Sequence, residues 1–127
     1  MPKQLSKAVF VVDDDPSMLK GMRRLLRQYG YETVPFETAK ALRDHPDFDQ
    51  AFCIVLDVNL GDGSGIDLRH QLAEAGVVLP VIYITGNDSH ATRMAAMASG
   101  CLAYLTKPFS ARSLIEPIER AASAALV

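Results

Sequence analysis

The sequence predicts an α/β fold in which a parallel β-sheet is covered by helices. Short apolar runs alternate five times with longer stretches of helical periodicity, which is the pattern of repeated βα units. The first run, Ala8–Val12, is apolar at every position, as expected of a central strand that is buried on both faces. The 127 residues have the length of one compact domain, so we predict a single domain over residues 1–127.

The first two units each begin with a strand and continue into a helix. After the strand 8–12, Asp15 and Pro16 have the residue types of an N-cap and a first helical position. A weaker strand, 32–36, precedes a short helix over about 38–44. The apolar side chains that recur at helical spacing before Gly30 ends the first helix are Met18, Leu19, Met22, Leu25, Leu26 and Tyr29.

The third and fourth units have clearer boundaries. The strand 52–56 is followed by a helix that Ser64 is expected to cap and that ends near Gly76. The strand 81–84 is followed by a helix rich in alanine and methionine over about 89–99.

The fifth unit contains a local conflict. The strand 101–105 precedes a last helix that Ser110 is expected to cap. Pro117 lies well past the first turn of that helix, where proline removes a backbone donor at a cost of about 3 kcal/mol. We therefore expect either a bend at Pro117 or a helix that is shorter than the apolar pattern indicates.

Composition and charge exclude several classes of protein. Apolar residues make up 49% of the chain and charged residues 22%, which is ordinary for a protein with a buried core. The formal net charge of −2 offers no broad basic surface for nucleic acid. No apolar run is long enough to cross a bilayer, and residues 1–7 lack a secretion signal, so we expect a cytoplasmic protein without membrane contact. Cys53 and Cys101 lie in apolar stretches and are expected to be reduced core residues.

Polar side chains follow four of the five predicted strands. They are Asp13, Asp14 and Asp15 after the first strand, Asp57 and Asn59 after the third, Thr85 at the end of the fourth, and Lys107 after the fifth. Ligands of open parallel sheets bind beyond the carboxyl ends of the strands, so these side chains are expected at one edge. None of these residues alone is specific evidence of a functional site, whereas their joint placement is.

The carboxylates of this group predict a cation site. Several carboxylates in one pocket repel each other, and a hard divalent cation such as Mg²⁺ or Mn²⁺ relieves that repulsion. Mg²⁺ takes one or two protein carboxylates and keeps open positions for phosphate oxygens. A carboxylate beside such a cation can attack phosphorus, and Lys107 could neutralise charge on the other side of the transferred group.

Single residues of the group also have simpler interpretations. Asp15 is expected to cap a helix, Thr85 alone could be a β-branched residue that ends a strand, and Lys107 alone could be a solvated charge. Asp62 and Asp67 are assigned to the glycine-rich turn and to the helix that follows it. The three histidines are expected to be exposed and have no predicted role: His45, His70 and His90.

Four segments of the chain match the motifs of a known family. Residues 11–18, 54–59, 85–86 and 104–109 read VVDDDPSM, IVLDVN, TG and YLTKPF. In this order and spacing they resemble the CheY-like receiver domain of response regulators in two-component systems, in particular its FixJ-like branch, over about residues 7–122. The resemblance implies a flavodoxin-like (βα)5 fold, a doubly wound parallel five-stranded sheet with strand order 2-1-3-4-5.

The resemblance also implies roles for the residues at the strand ends. Asp57 would be the phosphoacceptor, and Lys107 would pair with it after phosphorylation. Asp13 and Asp14 would bind Mg²⁺ or Mn²⁺ together with Asp57 and the backbone carbonyl of Asn59. The chain would then be a phosphoacceptor switch rather than an enzyme, with a phosphohistidine on a sensor histidine kinase or phosphotransfer protein as the donor.

A switching mechanism follows from the same resemblance. Thr85 would donate a hydrogen bond to a phosphoryl oxygen, and its inward movement would free space for Tyr104 to turn from an outward to an inward rotamer. This turn would alter the face formed by the fourth helix, the fifth strand and the fifth helix. That face would serve an output domain or protein, or a homodimer, and this segment itself is not expected to bind nucleic acid.

The chain departs from the family pattern at three places. Leu60 and Gly61 stand where Met-Pro is common, so the loop after Asp57 is expected to be more mobile. Gly86 replaces the more usual alanine and would leave the phosphoryl group more accessible. Pro117 could reshape the dimerisation face.

Two other classes of function are weighed against the phosphorylation switch. A receiver-like interaction module that works without phosphorylation would not need the complete set of strand-end residues that this chain has. A small phosphatase would have a second acid at position 59, where Asn59 stands. A flavodoxin-like carrier would not place three aspartates after its first strand, because Asp13, Asp14 and Asp15 would repel a flavin phosphate.

Overall fold

A computed structural model of the chain describes residues 8–125. The main strands are β1 (Ala8–Val12), β2 (Glu32–Phe36), β3 (Ala51–Asp57), β4 (Val81–Thr85) and β5 (Ala103–Thr106). They form one parallel sheet in the order β2-β1-β3-β4-β5, so β2 and β5 are its edges. The helices are α1 (Pro16–Gln28), α2 (Ala39–Arg43), α3 (Gly65–Glu74), α4 (His90–Ala98) and α5 (Ala111–Ala125). The predicted doubly wound fold and its strand order are confirmed.

Apolar side chains cover both faces of the sheet, as the continuous apolar runs predict. Every residue of β1, β3 and β4 is buried. On one face the buried cluster includes Leu19, Met22 and Leu26 of α1 and Leu114 and Ile118 of α5. On the other face, buried side chains of α2, α3 and α4 pack against the sheet. Within residues 8–125, every helix is too short or too polar to cross a lipid bilayer.

The helix boundaries agree with the predicted caps. Asp15 accepts a hydrogen bond from the Ser17 amide at the start of α1. Ser64 accepts from the amides of Ile66 and Asp67 at the start of α3. The last strand begins two residues later than predicted, at Ala103, because the segment 100–102 forms the connection from α4 into the sheet.

Pro117 does not end the last helix. The helix α5 runs without interruption to Ala125, and the prediction of a shorter helix is wrong. The physical reason is that Pro117 is buried together with Leu114, Ile118 and Ala121 on the face that packs against the sheet. Burial of a large aliphatic side chain stabilises by about 1.5–3 kcal/mol, so a few such side chains outweigh one lost backbone hydrogen bond.

The exposure predicted for the histidines is correct for two of them and wrong for the third. His70 and His90 are exposed, whereas His45 is half-buried. Its ring lies edge-on to Phe10, Phe36 and Phe48, with ring centroids 5.0, 5.3 and 6.1 Å away, and its Nε2 lies 3.0 Å from the Gln50 side-chain oxygen. The burial of His45 results from its packing against these aromatic rings, which its spacing along the chain does not indicate.

Both cysteines are free, as predicted. Cys53 is fully buried in β3, and burial raises the pKa of its thiol to about 12. Cys101 is half-buried within the α4–β5 connection, and burial raises the pKa of its thiol as well. A thiol with a raised pKa is mostly protonated at neutral pH, so both behave as small apolar residues.

Candidate functional site

Three aspartates meet at the carboxyl edge of the sheet. Asp13 and Asp14 directly follow β1, and Asp57 is the last residue of the neighbouring strand β3. Each offers one carboxylate oxygen, and these oxygens all lie within 4.8 Å of one another. Asp13 and Asp57 are buried, whereas Asp14 is exposed and faces the solvent side of the group. We call Asp13, Asp14 and Asp57 the carboxylate cluster.

Lys107 reaches the carboxylate cluster from the loop after β5. Its Nζ donates to Asp13 Oδ2 and to Asp57 Oδ2, both at 3.0 Å. The Lys107 backbone amide donates to the carbonyl of Thr85 at 2.8 Å, which ties the loop to the end of β4. The interpretation of Lys107 as a solvated surface charge is therefore wrong, because tertiary contacts hold it between two buried carboxylates.

The charges of this site act on one another. Burial raises the pKa of Asp57, and hydrogen bonds from the Asn59 amide and from Lys107 only partly oppose this increase. Burial lowers the pKa of Lys107, but hydrogen bonds to Asp13 and Asp57 outweigh that effect, so its pKa is raised overall. One ammonium therefore faces two buried carboxylates, with the exposed Asp14 beside them. The excess negative charge favours a further positive charge at this place.

Asn59 and Thr85 are joined to the site by hydrogen bonds. The Asn59 backbone amide donates to Asp57 Oδ1 at 2.9 Å, and its side-chain amide donates to Thr85 Oγ1 at 3.3 Å. Thr85 is fully buried and also accepts from the Asn87 amide at 3.0 Å. The structure thus brings both residues to the position that the sequence predicts. The contact of Asn59 with a cation and that of Thr85 with a phosphoryl group stay predictions.

The segment after Asp57 folds into a small antiparallel ribbon. Asn59 pairs with Ser64 and Leu60 pairs with Gly63, and we call residues 59–64 the ribbon. The Leu60 side chain is buried in the core. The segment therefore has regular pairing although it contains no proline, and its greater mobility stays a prediction.

Asp62 has a partner that the sequence did not indicate. At the tip of the ribbon, its carboxylate accepts from the backbone amides of Ala39 at 2.9 Å and Lys40 at 3.1 Å, at the start of α2. The prediction that Asp62 serves only the glycine-rich turn is thus incomplete. The partners lie more than twenty positions upstream, where no local sequence signal connects them to Asp62. Asp67, in contrast, lies in the first turn of α3 as expected.

Gly65 is a site residue that sequence reasoning missed. A Cβ atom at this position would lie 2.2 Å from the Asp57 carbonyl oxygen and 3.1 Å from Leu56 Cγ. The Gly65 amide also donates to the Val58 carbonyl at 2.8 Å, so α3 begins directly against the end of β3. A Cβ at Gly86 would instead lie 3.7 Å from Lys107 Cδ, an ordinary contact distance.

Tyr104 lies outside the carboxylate cluster and contacts the β4–α4 loop. Its hydroxyl donates to Asp88 Oδ1 at 2.8 Å, and the Arg93 guanidinium lies 4.9 Å from the centre of its ring. Arg93 also donates to Asp88 Oδ2 at 2.8 Å, which closes a triangle of contacts. Burial and then the Asp88 carboxylate raise the pKa of Tyr104 to about 12. The roles of Asp88 and Arg93 were not predicted from the sequence.

The donor set of the carboxylate cluster fits a hard divalent cation. All its donors are carboxylate oxygens, and Asp14 leaves one side of the cluster open to solvent. Mg²⁺ and Mn²⁺ prefer oxygen ligands and retain waters that a phosphate can replace. The site resembles that of an acidic, magnesium-binding protein more than a zinc site, because neither histidine nor cysteine belongs to the cluster among residues 8–125.

Comparisons with known proteins give one consistent family. Residues 9–119 match the family model described as the response regulator receiver domain. Nodulation protein W of Bradyrhizobium diazoefficiens is 36% identical over 110 residues, which are 87% of this chain and 48% of that protein. The response regulator protein TmoT of Ectopseudomonas mendocina is 31% identical over 113 residues, 89% of this chain and 51% of that protein. The chain therefore spans about half the length of these curated relatives.

Solved structures agree with this assignment. The response regulator StyR has a TM-score of 0.85 at 35% sequence identity, covering 94% of this chain and 60% of the StyR chain. The receiver domain of DrrB, activated with BeF3, has a TM-score of 0.80 at 29% identity and covers 94% of this chain and 99% of that chain. The chain belongs to the response regulator receiver domain family and is a signalling phosphoacceptor rather than an enzyme.

Proposed function

We propose that Asp57 accepts a phosphoryl group from a phosphohistidine of a sensor histidine kinase or phosphotransfer protein, in a reaction that needs Mg²⁺ or Mn²⁺. The observation that supports this most directly is the position of Asp57, with its Oδ2 3.0 Å from Lys107 Nζ and its carboxylate within 4.8 Å of those of Asp13 and Asp14. Positive charge can thus be placed on two sides of a single buried carboxylate.

Each site residue has a chemical task in this reaction. An Asp57 carboxylate oxygen attacks phosphorus, the phosphorus–nitrogen bond to the donor imidazole breaks, and the imidazole leaves with that electron pair. Lys107 and the hydroxyl of Thr85 stabilise the phosphoryl oxygens. Asp13, Asp14 and the Asn59 carbonyl would hold the cation, which, when bound, neutralises charge on the transferred group.

The test is a measurement of intact protein mass after incubation with Mg²⁺ and a small phosphodonor such as acetyl phosphate. The wild-type protein is expected to gain one phosphoryl group and the variant Asp57→Asn none, because the amide cannot act as the nucleophile. Removal of the cation with a chelator should also abolish the gain. The matched control is Asp67→Asn, which alters an exposed carboxylate of α3 outside the cluster.

A wild-type protein that gains no mass would contradict the proposal. It would favour the second interpretation, a receiver-like interaction module that binds its partner without phosphorylation. A gain that persists in Asp57→Asn would show that another residue accepts the group.

We further propose that phosphorylation acts on Tyr104 through Thr85. A phosphoryl oxygen on Asp57 accepts a hydrogen bond from the Thr85 hydroxyl and draws it inward, and Tyr104 turns into the space that this movement frees. To do so, Tyr104 must leave the hydrogen bond to Asp88 and the cation–π contact with Arg93. The affected surface is the α4-β5-α5 face, on which Met94 and Met97 of α4 are more than half exposed.

The variant Asp88→Asn is expected to switch more readily than the wild-type protein. It weakens the hydrogen bond to Tyr104 and the ion pair with Arg93, so the inward population should rise roughly two- to fivefold, the range for an exposed ion pair. The measurement is the NMR signal of the Tyr104 ring during titration with a phosphate mimic such as beryllofluoride. An unchanged midpoint relative to the wild-type protein would count against this account of the switch.

The proposal extends to partners and location. The α4-β5-α5 face would bind an output domain or protein, or a second copy of the chain. The net charge of −2 supports a segment that does not itself bind nucleic acid. A kinase partner and free thiols both fit a cytoplasmic protein. We propose that residues 1–127 form a single receiver domain. What a longer protein that contains this domain would do is likewise a proposal.

A further inference from the structure

The ribbon is attached to the rest of the molecule at both of its ends. Its tip is attached through the Asp62 carboxylate, which accepts from the backbone amides of Ala39 and Lys40. The hydrogen bond from Ala39, and to a smaller extent the one from Lys40, lowers the pKa of Asp62, so the carboxylate is ionised at neutral pH. At its base, the Asn59 amide donates to Asp57 Oδ1, and the next residue, Leu60, has a buried side chain.

The helix that Asp62 contacts has a fixed position. Ala39 and Leu42 of α2 are buried in the core, at 2% and 0% exposure. The first amides of a helix have no partner within the helix. Thr38 satisfies the Ala41 amide, and Asp62 satisfies those of Ala39 and Lys40. The tip of the ribbon is therefore held by the end of a helix that cannot move without disturbing the core.

The ribbon lies against the carboxylate cluster. A Cβ atom on Gly61, next to Asp62, would be 3.6 Å from Asp14 Oδ2. At the other end, the Asn59 amide donates to Asp57 Oδ1. A ladder with two residue pairs is too short to be stable by itself, and Gly61 and Gly63 add backbone freedom. Its position over the site must therefore be maintained by its attachments.

We propose that Asp62 is a positioning residue that holds the ribbon, and with it the Asn59 backbone, in place over the carboxylate cluster, and thereby strengthens the binding of a divalent cation. This inference rests on the proposed function, because it assigns the cation to that same site. Asp62 itself stays outside the cluster and acts through the two amide hydrogen bonds at the start of α2.

The test compares the binding of Mg²⁺ or Mn²⁺ alone, by calorimetry, to the wild-type protein and to Asp62→Ala and Asp62→Asn. We expect about tenfold weaker binding for Asp62→Ala, the lower end of the effect of removing groups that orient metal ligands. Asp62→Asn retains one acceptor oxygen and should lose less. The control is Asp47→Ala. Asp47 is also exposed and also accepts a hydrogen bond from a backbone amide, that of Asp49. It precedes β3, however, and so lies at the amino ends of the strands, away from the carboxylate cluster.

A second measurement separates positioning from general stability. Hydrogen exchange at the amides of residues 59–64 should become faster in Asp62→Ala, while the amides of the buried strand β3 keep their protection. Equal cation affinity in Asp62→Ala and wild type would overturn the inference, as would an equal loss in Asp47→Ala. A wild-type protein that binds the cation but takes up no phosphoryl group would instead overturn the proposed function, and the calorimetric comparison would still decide the role of Asp62.

Discussion

Gly65→Ala is expected to lower the melting temperature by on the order of 10 °C and to weaken phosphorylation of Asp57. The new Cβ would lie 2.2 Å from the Asp57 carbonyl oxygen, a distance that requires backbone movement. Overpacking of this kind costs about 3 kcal/mol, at the upper end of the usual range. Because Asp57 ends β3 at that point, we expect the displacement to disturb the hydrogen bond between the Asp57 carboxylate and Lys107 as well.

The matched control for this prediction is Gly86→Ala, at the same edge of the sheet. Its Cβ would meet Lys107 Cδ at 3.7 Å, so we expect a nearly unchanged melting temperature. Thermal unfolding followed by circular dichroism measures both variants. The steric explanation is wrong if the two variants melt at the same temperature, or if Gly65→Ala accepts the phosphoryl group as fast as wild type.

Lys107→Met is expected to slow phosphorylation from a small phosphodonor about 100-fold at saturating Mg²⁺. The substitution keeps most of the side-chain volume and removes the ammonium that Asp13 and Asp57 share at 3.0 Å. Loss of one positioned donor to a developing charge typically lowers a rate by about 100-fold or more. The same variant should bind Mg²⁺ more tightly, because its two buried carboxylates have lost their only nearby cationic partner within the described part of the chain.

Opposite changes in rate and in cation affinity are the sign of this role for Lys107. The rate is measured by the time course of the phosphoryl mass gain, and the affinity by calorimetry. Lys40→Met is the control, because Lys40 is exposed and pairs with Asp44 on the surface of α2. A phosphorylation rate for Lys107→Met within a factor of a few of the wild-type rate would show that Lys107 has no role in the reaction.

Much of the site could be predicted because it follows from the order of the strands. In a parallel sheet the residues after the strands share one edge, so the positions of Asp13, Asp57, Thr85 and Lys107 along the chain already indicate that they meet. The apolar runs that end at these residues define the strands, and the structure confirms them. The chemistry of the carboxylates then indicates a cation site without knowledge of the coordinates.

Contacts between distant loops could not be predicted in this way. Asp62 accepts a hydrogen bond at the start of α2, and Asp88 and Arg93 contact the Tyr104 side chain. These contacts depend on how the helices pack on the sheet. Gly65 was unremarkable in the sequence because a glycine among several others in a turn gives no sign of close backbone packing. Such features depend on tertiary packing, which local residue preferences do not indicate.

The last helix shows how tertiary packing can overrule a local rule. The rule that proline interrupts a helix counts the lost backbone hydrogen bond and the clash of the proline ring with the preceding turn. In α5 the competing state, a helix that ends before Pro117, would expose Ile118 and Ala121, which are buried against the sheet. A sequence argument can foresee this outcome only when it weighs the apolar face of the whole helix against the single missing donor.

The two edges of the sheet bear on how the protein behaves at high concentration. The strand β2 presents an exposed proline, Pro35, which has no amide hydrogen to offer a neighbour, together with the exposed charge of Glu32. The opposite edge, β5, is four residues long. Neither edge is a good template for adding a foreign strand, so amyloid-like growth from the native state is disfavoured. The folded protein should thus remain dispersed at concentrations at which flat, apolar sheet edges would join into fibrils.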